Sequence, residues 1–389
     1  MQRLIDTYHR LLQQTTLSKK RYLYQKINWE NRLIAVTGQR GVGKTTLLLQ
    51  KIKESKNTKK HLYISADSLF IYKLSLFEIA LDFRNNGGKH LYIDEIHKYS
   101  NWSGEIKHIY DTIPDLNIVF TGSSILDVMK GYGDLSRRAV HYTLSGMSFR
   151  EYLLFEINID FPKYSLEDVI ENKVKIDLEN PLFYFKKYLL KGYYPFYKEI
   201  DFELKLLNVV NIVLEVDLLQ YLELKPSTIA KLKKLLQIIS ESVPFKPNIS
   251  KIAALTNISR SLLLDYFNYL QQSGLITMIN SSTKGIQALG KPEKIYLNNT
   301  NLFIALTGGL NINIGNIRET FFMSQLSVMH NITIPKKGDF YIDGYTFEIG
   351  GKNKKSHQIS NITNSFLVKD DIENAYKNNI PLWHFGFLY

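Results

Sequence analysis

The sequence predicts an α/β protein. A parallel sheet with helices on both faces comes first, a helical module follows, and a smaller α/β module ends the chain. Three stretches predict this. The apolar strand Leu33-Ile34-Ala35-Val36-Thr37 runs through a glycine-bearing loop into a helical pattern at residues 46–52. A second apolar strand, residues 89–93, ends in the acidic pair Asp94-Glu95 about fifty residues after the loop. Near the far end, Asp343-Gly344 stands between two short strand patterns, the strongest short-range signal for a hairpin. Short apolar strands alternating with helices are the pattern of a parallel sheet.

The loop after the first strand reads Gly38-Gln39-Arg40-Gly41-Val42-Gly43-Lys44-Thr45-Thr46 and fits G-x-x-x-x-G-K-[ST], the P-loop pattern. Glycines at 38, 41 and 43 let the chain take positive φ, so that successive N–H groups turn inward around a phosphate. The helix that begins near Lys44 adds its unpaired N–H groups and the positive end of its dipole. In this reading Val42 and Thr46 complete the nucleotide cradle. Lys44 reaches the β- and γ-phosphates of ATP, and the Thr45 hydroxyl ligates Mg²⁺.

Composition sets the bounds around this motif. The chain has 389 residues, long enough for about two or three domains. No apolar run approaches the ~18 residues of a membrane span, so no membrane partner is expected. Residues 1–12 are amphipathic, with Leu4, Ile5, Tyr8, Leu11 and Leu12 on one helical face, and lack a signal-like cleavage site. The absence of cysteine excludes disulfides and thiolate metal sites, and the nine histidines show no ligand spacing. A cytoplasmic location is the expectation. The net charge of +12 invites a nucleic-acid reading, but Lys, Ile, Asn and Tyr are abundant throughout, so charge alone says little.

The elements then follow in order. Residues 61–65 read as a buried strand and residues 75–86 as a helix that Asn86-Gly87-Gly88 ends. The strand ending in Asp94-Glu95 is what a P-loop hydrolase places at its nucleotide crevice: Asp94 to hold the Mg²⁺ shell, Glu95 to polarise the attacking water. The next strand, residues 117–121, runs into Gly122-Ser123-Ser124. Thr121 and Ser123 are the candidates for a sensor between the γ-phosphate and the acidic pair, or else for capping the helix beginning near Ile125. Arg137-Arg138 closes a loop at residues 130–134 and precedes a strand at 139–144. Arg138 is the candidate to stabilise charge on the transferring phosphoryl group, in cis or from another copy in a homo-oligomer; a solvated basic pair is the alternative.

These residues carry a resemblance. The stretches Gly38–Thr46, Tyr92–His97, Thr121–Ser124, Ser136–Val140, Ser148-Phe149-Arg150-Glu151-Tyr152 and Leu190-Lys191-Gly192-Tyr193-Tyr194-Pro195 resemble AAA-type ATPases of bacteria and archaea. In that family an ATPase domain is joined to a carboxy-terminal region of unknown function. Tyr193 stands where the family's aromatic-Pro turn has a second glycine. The resemblance implies ATP binding and hydrolysis with Mg²⁺, but not what hydrolysis drives. The aromatic-basic run at residues 183–197 reads either as a packed amphipathic helix and turn or as a platform for single-stranded bases.

The expected domains are 1–205 for the P-loop AAA-type ATPase, 206–300 for a winged-helix-like module and 301–389 for a restriction-endonuclease-like one. In the middle module, helices at 231–242, 249–255 and 260–272 precede two wing strands at 275–279 and 294–297, and Ser259 caps the third helix. That helix buries Leu262, Leu263, Tyr266, Phe267 and Leu270 and offers Arg260, Ser261, Asp265 and Asn268 outward, a poor set for reading bases. DNA contact and protein packing both stay open. In the last module the hairpin pairs 342 with 345 and places Asp339 opposite Glu348, about 5 Å apart between Cβ atoms. Such a pair is unfavourable unless a cation or a lysine lies between. Glu319, Asp339, Glu348 and Lys352 resemble the nuclease constellation, in which two carboxylates hold Mg²⁺ and a lysine polarises water. Gly350 stands where the lysine belongs, so Lys352 has to substitute. The function expected is an ATPase that couples nucleotide state to a partner or to DNA. The rivals are an ATP-gated DNA-binding or nuclease machine of genome defence, and a slow nucleotide-dependent scaffold.

Overall fold

Five consecutive buried residues make β1 (Leu33–Thr37) a fully covered strand, as a parallel sheet with helices on both faces requires. The computed structural model describes residues 2–71, 74–122, 135, 137–218, 225–242, 246–281, 292–309 and 313–389. The chain forms two compact units, residues 1–145 and 146–389. Residues 146–205, expected with the ATPase domain, thus fold with the second unit. Residues 206–300 and 301–389 share that unit rather than separating.

In the first unit, β1, β2 (His61–Ser65), β3 (His90–Asp94), β4 (Asn117–Gly122) and β5 (Val140–Thr143) are all parallel, in the order β2-β3-β4-β1-β5. With β4 between β1 and β3, the C-terminal ends of these three strands lie side by side. Helices α1 (Gln2–Gln14), α2 (Leu23–Lys26), α3 (Lys44–Lys53), α4 (Leu76–Asn85) and α5 (Trp102–Thr112) flank the sheet. Ser75 caps α4 by accepting from Phe77 and Glu78 N–H groups. One face of the sheet packs Leu33, Ala35, Ile64, Ile93 and Phe120 against Ile79, Trp102, Ile106 and Ile109 of α4 and α5. This unit has the P-loop NTPase fold.

The second unit starts with a capping box. Ser148 accepts from the Glu151 N–H, and the Glu151 carboxylate accepts from the Ser148 N–H, opening α6 (Phe149–Ile157). Then come α7 (Leu166–Ile170), α8 (Pro181–Lys191), α9 (Phe202–Ile212), α10 (Pro226–Ser242), α11 (Ile249–Thr256) and α12 (Arg260–Gln272). Ser259 caps α12 as expected, and β6 (Ile276–Ile279) pairs antiparallel with β7 (Lys294–Leu297). Leu262 departs from the expectation: it is 47% exposed, beside Arg260, Ser261, Asp265 and Asn268 on the outer face. Helices α13 (Asn301–Thr307) and α14 (Ile314–Leu326) lead to a four-stranded sheet, β11-β10-β9-β8. Its strands are β8 (Phe340–Ile342), β9 (Tyr345–Gly350), β10 (Ser365–Lys369) and β11 (Asn379–Pro381). The hairpin register is the expected one, with Phe340 opposite Phe347, Tyr341 opposite Thr346 and Ile342 opposite Tyr345.

An aromatic core explains why residues 146–205 belong here. The Phe149 ring meets Phe185 at 5.4 Å, Tyr188 at 5.6 Å and Phe387 at 5.7 Å between centroids. Tyr188 donates to the Met147 carbonyl oxygen at 2.6 Å and accepts from the Gln325 amide at 3.0 Å. The run at 183–197 therefore packs: Phe185, Tyr188, Tyr193, Tyr194 and Tyr197 are buried. Phe149→Ala is expected to destabilise the second unit by about 3–5 kcal/mol, whereas Phe183→Ala, at a site 54% exposed, should change stability by less than about 0.5 kcal/mol; urea denaturation of both variants checks this.

Burial pulls the pKa of His384 down from the ordinary 6.5 to about 4. Between those two values the unfolded chain takes up a proton that the folded unit refuses. Stability is therefore full above pH 6.5 and falls as the pH drops toward 4. The slope contributed is at most about 1.4 kcal/mol per pH unit. Urea midpoints across this window should flatten in His384→Phe.

Candidate functional site: a phosphate loop facing a buried carboxylate

Strand β1 ends at Thr37, and the chain turns at Gly38 (φ 153°), Gly41 (φ 86°) and Gly43 (φ 97°) before α3 begins at Lys44. Gly38 has no room for a side chain, because a Cβ there would lie 2.3 Å from the Leu144 carbonyl oxygen. Gly43 occupies the left-handed region directly before the helix, so the first turn of α3, with the positive end of its dipole, begins where the loop ends. The buried Lys44 ammonium donates to the carbonyl oxygens of Gly38 and Gln39, each at 2.9 Å. Val42 is buried, and its carbonyl oxygen accepts from Arg21, whose guanidinium also donates to the Ser145 carbonyl oxygen at 2.7 Å. Gln50 of α3 binds the same N-terminal segment, donating to the carbonyl oxygens of Thr16 at 2.9 Å and Lys19 at 2.8 Å. Arg21 and Gln50 thereby brace the loop, a role no local motif reveals.

Asp94 ends β3 at 2% exposure and accepts from three hydroxyls. Thr45 of α3 donates to Oδ2 at 2.6 Å, Tyr63 of β2 donates to Oδ2 at 2.8 Å, and Thr121 of β4 donates to Oδ1. Burial first, then the Asp94 charge, pushes the Tyr63 phenol well above its ordinary pKa, so it serves as a donor throughout the physiological range. Thr121 also accepts from the Glu95 N–H at 3.2 Å. Glu95 adopts φ 51°, a left-handed conformation that costs on the order of 1–3 kcal/mol and is held here by the surrounding structure. Its Oε2 lies 3.5 Å from Nε2 of His97.

Lys44, Thr45, Asp94, Glu95 and Thr121 thus meet where the C-terminal ends of β1, β3 and β4 adjoin, the usual crevice of an open α/β sheet. The donor set fits Mg²⁺: a hydroxyl and a carboxylate, both hard oxygens, already within hydrogen-bond contact. Ser123, the helix near Ile125 and the loop at 130–134 lie outside the described residues. Arg138 is not brought to the loop. It precedes β5 at the N-terminal end of the strands, away from the loop at their C-terminal end, because Val140 pairs in parallel with Ile34, and its guanidinium grips Asp111 of α5 at 2.9 and 3.0 Å.

The second acidic group lies in the second unit. Glu319 of α14, Asp339 and Glu348 of β9 are accompanied by two lysines. Lys294 of β7 donates to Glu319 at 3.2 Å and Asp339 at 3.4 Å, while Lys354 donates to Glu348 at 2.6 Å. Lys352, expected beside Glu348, is instead exposed. Glycine at 350 is the reason: a Cβ there would meet Cβ and Cγ of Lys354 at 2.4 Å, so the missing side chain is the path by which Lys354 crosses to Glu348. Tyr296 donates to Glu319 at 2.8 Å. Burial, then Asp339, raises the Glu319 pKa, and burial likewise raises that of Glu348. Burial opposes the Lys354 charge, but the Glu348 bond and nearby carboxylates outweigh it and raise its pKa. Among the described residues, no three acidic, histidine or cysteine side chains form a metal-binding group.

Residues 30–153 match a family described as an AAA domain, and residues 182–313 match a domain of unknown function, DUF8612. Two curated relatives are uncharacterized proteins of Methanocaldococcus jannaschii. The first is 30% identical over 295 residues, covering 69% of this chain and 61% of the relative. The chain therefore spans about three fifths of that relative's length. The second is 26% identical over 379 residues, covering 90% of this chain and 79% of the relative. Similar solved structures include a Walker-type ATPase of Pyrococcus abyssi, with TM-score 0.41, 13% identity and coverage of 73% of this chain and 93% of that one. Another is AMPPCP-bound DnaA from Aquifex aeolicus, with TM-score 0.26, 16% identity and coverage of 64% and 84%. The AAA match supports nucleotide binding and ATPase activity in the first unit. Among the described residues, no helix is long and apolar enough to cross a membrane.

The Tyr63 contact yields a direct test. Tyr63→Phe removes one of three donors to a buried carboxylate and is expected to cost about 1–3 kcal/mol of first-unit stability. Tyr341→Phe, on an exposed position of β8, is the comparison, and urea denaturation is the measurement.

Proposed function

We propose that the protein is a Mg²⁺-dependent ATPase whose nucleotide state sets the partner binding of its second unit. The observation that carries this reading is the Thr121 hydroxyl, which donates to Asp94 and accepts from the Glu95 N–H on the strand beside β1. In this proposal the loop N–H groups and Lys44 hold the β- and γ-phosphates. Thr45 and Asp94 hold Mg²⁺, which neutralises charge on the phosphate oxygens when bound. Glu95 orients and polarises the attacking water, and Thr121 links the γ-phosphate region to the acidic pair. A second role for the bond between Thr121 and the Glu95 N–H is to set the Glu95 backbone in the left-handed conformation that aims its carboxylate.

Coupling to DNA is supported only by the basic charge and by the three-helix and two-strand arrangement of residues 226–297. The outward residues of α12 include one arginine and one acid, which favours protein contact over base reading. Phosphate release at saturating ATP and Mg²⁺, with and without duplex or single-stranded DNA, tests both parts. Glu95→Gln is expected to retain nucleotide and to lower turnover about a hundredfold or more. Stimulation by DNA in the wild type, lost in Glu95→Gln, would make DNA the coupled partner; DNA-independent turnover favours a protein partner. Wild-type turnover equal to that of Glu95→Gln would reject the role given to Glu95.

A further inference from the structure

The acidic group of the second unit has a feature that a metal site does not: its cations are already covalently part of the chain. Lys294 is the first residue of β7, and its side chain is only 8% exposed. Its ammonium lies between Glu319 and Asp339, at 3.2 and 3.4 Å, and 5.7 Å from the centre of the Phe340 ring. Three further donors reach the same carboxylates. Tyr296 donates to the same Glu319 oxygen, the Ile349 N–H donates to Asp339 Oδ2 at 2.9 Å, and Lys354 binds Glu348. Three carboxylates and two ammoniums leave one net negative charge. A divalent ion added there would lie within a few ångströms of two like charges, in a half-buried setting where repulsion is poorly screened. It would also have to displace Lys294 from both of its partners, stranding a buried ammonium.

We propose that Lys294 is the resident cation of this cluster, filling the place between Glu319 and Asp339 that a divalent ion occupies in metal-dependent phosphodiester hydrolysis, so that the second unit uses no metal there. The carboxylates act instead as a fastening. They hold β7, and with it the β6–β7 ladder, to α14 and the β8–β9 hairpin. The cluster forms one wall of a cleft of about 770 Å³ that Lys246, Lys336 and His357 also line. Gly350 belongs to the same arrangement, because it opens the path by which Lys354 neutralises Glu348.

The test is a Mn²⁺ titration of the full-length protein without nucleotide, read by electron paramagnetic resonance of the free ion. A Thr45→Val background removes the hydroxyl ligand of the P-loop. This parent is expected to bind no Mn²⁺ that Asp339→Asn abolishes. Lys294→Ala in the same background should gain one Mn²⁺ site about tenfold or more tighter than any the parent shows. Its melting temperature should then rise with Mn²⁺. Lys294→Arg, which keeps the charge, should gain no site. Where Lys294→Ala does not fold, Lys294→Gln removes the charge while keeping a donor on a side chain one atom shorter, and serves the same purpose. A parent site lost in Asp339→Asn would overturn the proposal whether or not any Lys294 variant folds. So would a folded Lys294→Ala or Lys294→Gln that gains no Mn²⁺ site.

Discussion

The first unit depends on the hydrogen bonding of one buried carboxylate. Asp94 receives hydroxyls from α3, β2 and β4, so the phosphate loop's helix and three adjacent strands are tied at a single point. A carboxylate at 2% exposure is tolerable only with such donors, since desolvation of an unpaired charge would exceed the stability of a typical domain contact. The sheet order follows the same logic. With β4 between β1 and β3, Thr121 stands next to Asp94 and one strand away from the loop. The α4 and α5 faces then have only to cover a continuous apolar sheet, which they do with Ile79, Ile106 and Ile109.

The second unit solves a related problem by other means. Its core is aromatic, built where Phe149, Phe185, Tyr188, Phe321 and Phe387 meet edge to face. Rings in such geometry gain stability beyond their area alone. The Ser-Phe-Arg-Glu-Tyr segment is central to it. Phe149 fills the core, Ser148 caps α6, and Ser148 and Arg150 both donate to the Tyr389 carbonyl oxygen, at 2.9 and 3.0 Å. Tyr193, in the place of a second glycine, packs closely enough on Gly146 that a Cβ there would lie 2.1 Å from its ring. The aromatic ring and the small residue are thus one substitution in space, although far apart in the chain.

What the sequence made legible was whatever is local. The loop, its helix and the acid pair at a strand end are contiguous patterns, and the hairpin at Asp343-Gly344 fixed a register that holds residue by residue. Thr121 was legible because strand ends in a parallel sheet converge on one edge. Tyr63, Arg21, Lys294 and Lys354 were not, because each reaches its partner through tertiary register rather than spacing. In a chain with 49 lysines and arginines, no single lysine stands out. The boundary near 205 failed for the same reason: residues 146–205 contain helices that would suit either unit, and only their aromatic faces decide. Leu262 kept helical spacing yet faces outward, since periodicity gives a face but not its width.

The Thr45 bond to Asp94 settles which way the hydroxyl faces. A hydroxyl that gives its hydrogen to a carboxylate keeps two lone pairs on the same oxygen. With the donated bond 2.6 Å long, rotation about the Cβ–Oγ1 axis is stopped and those lone pairs hold a fixed direction. The entropy of ordering that oxygen is thus lost when the unit folds, not when something later approaches it.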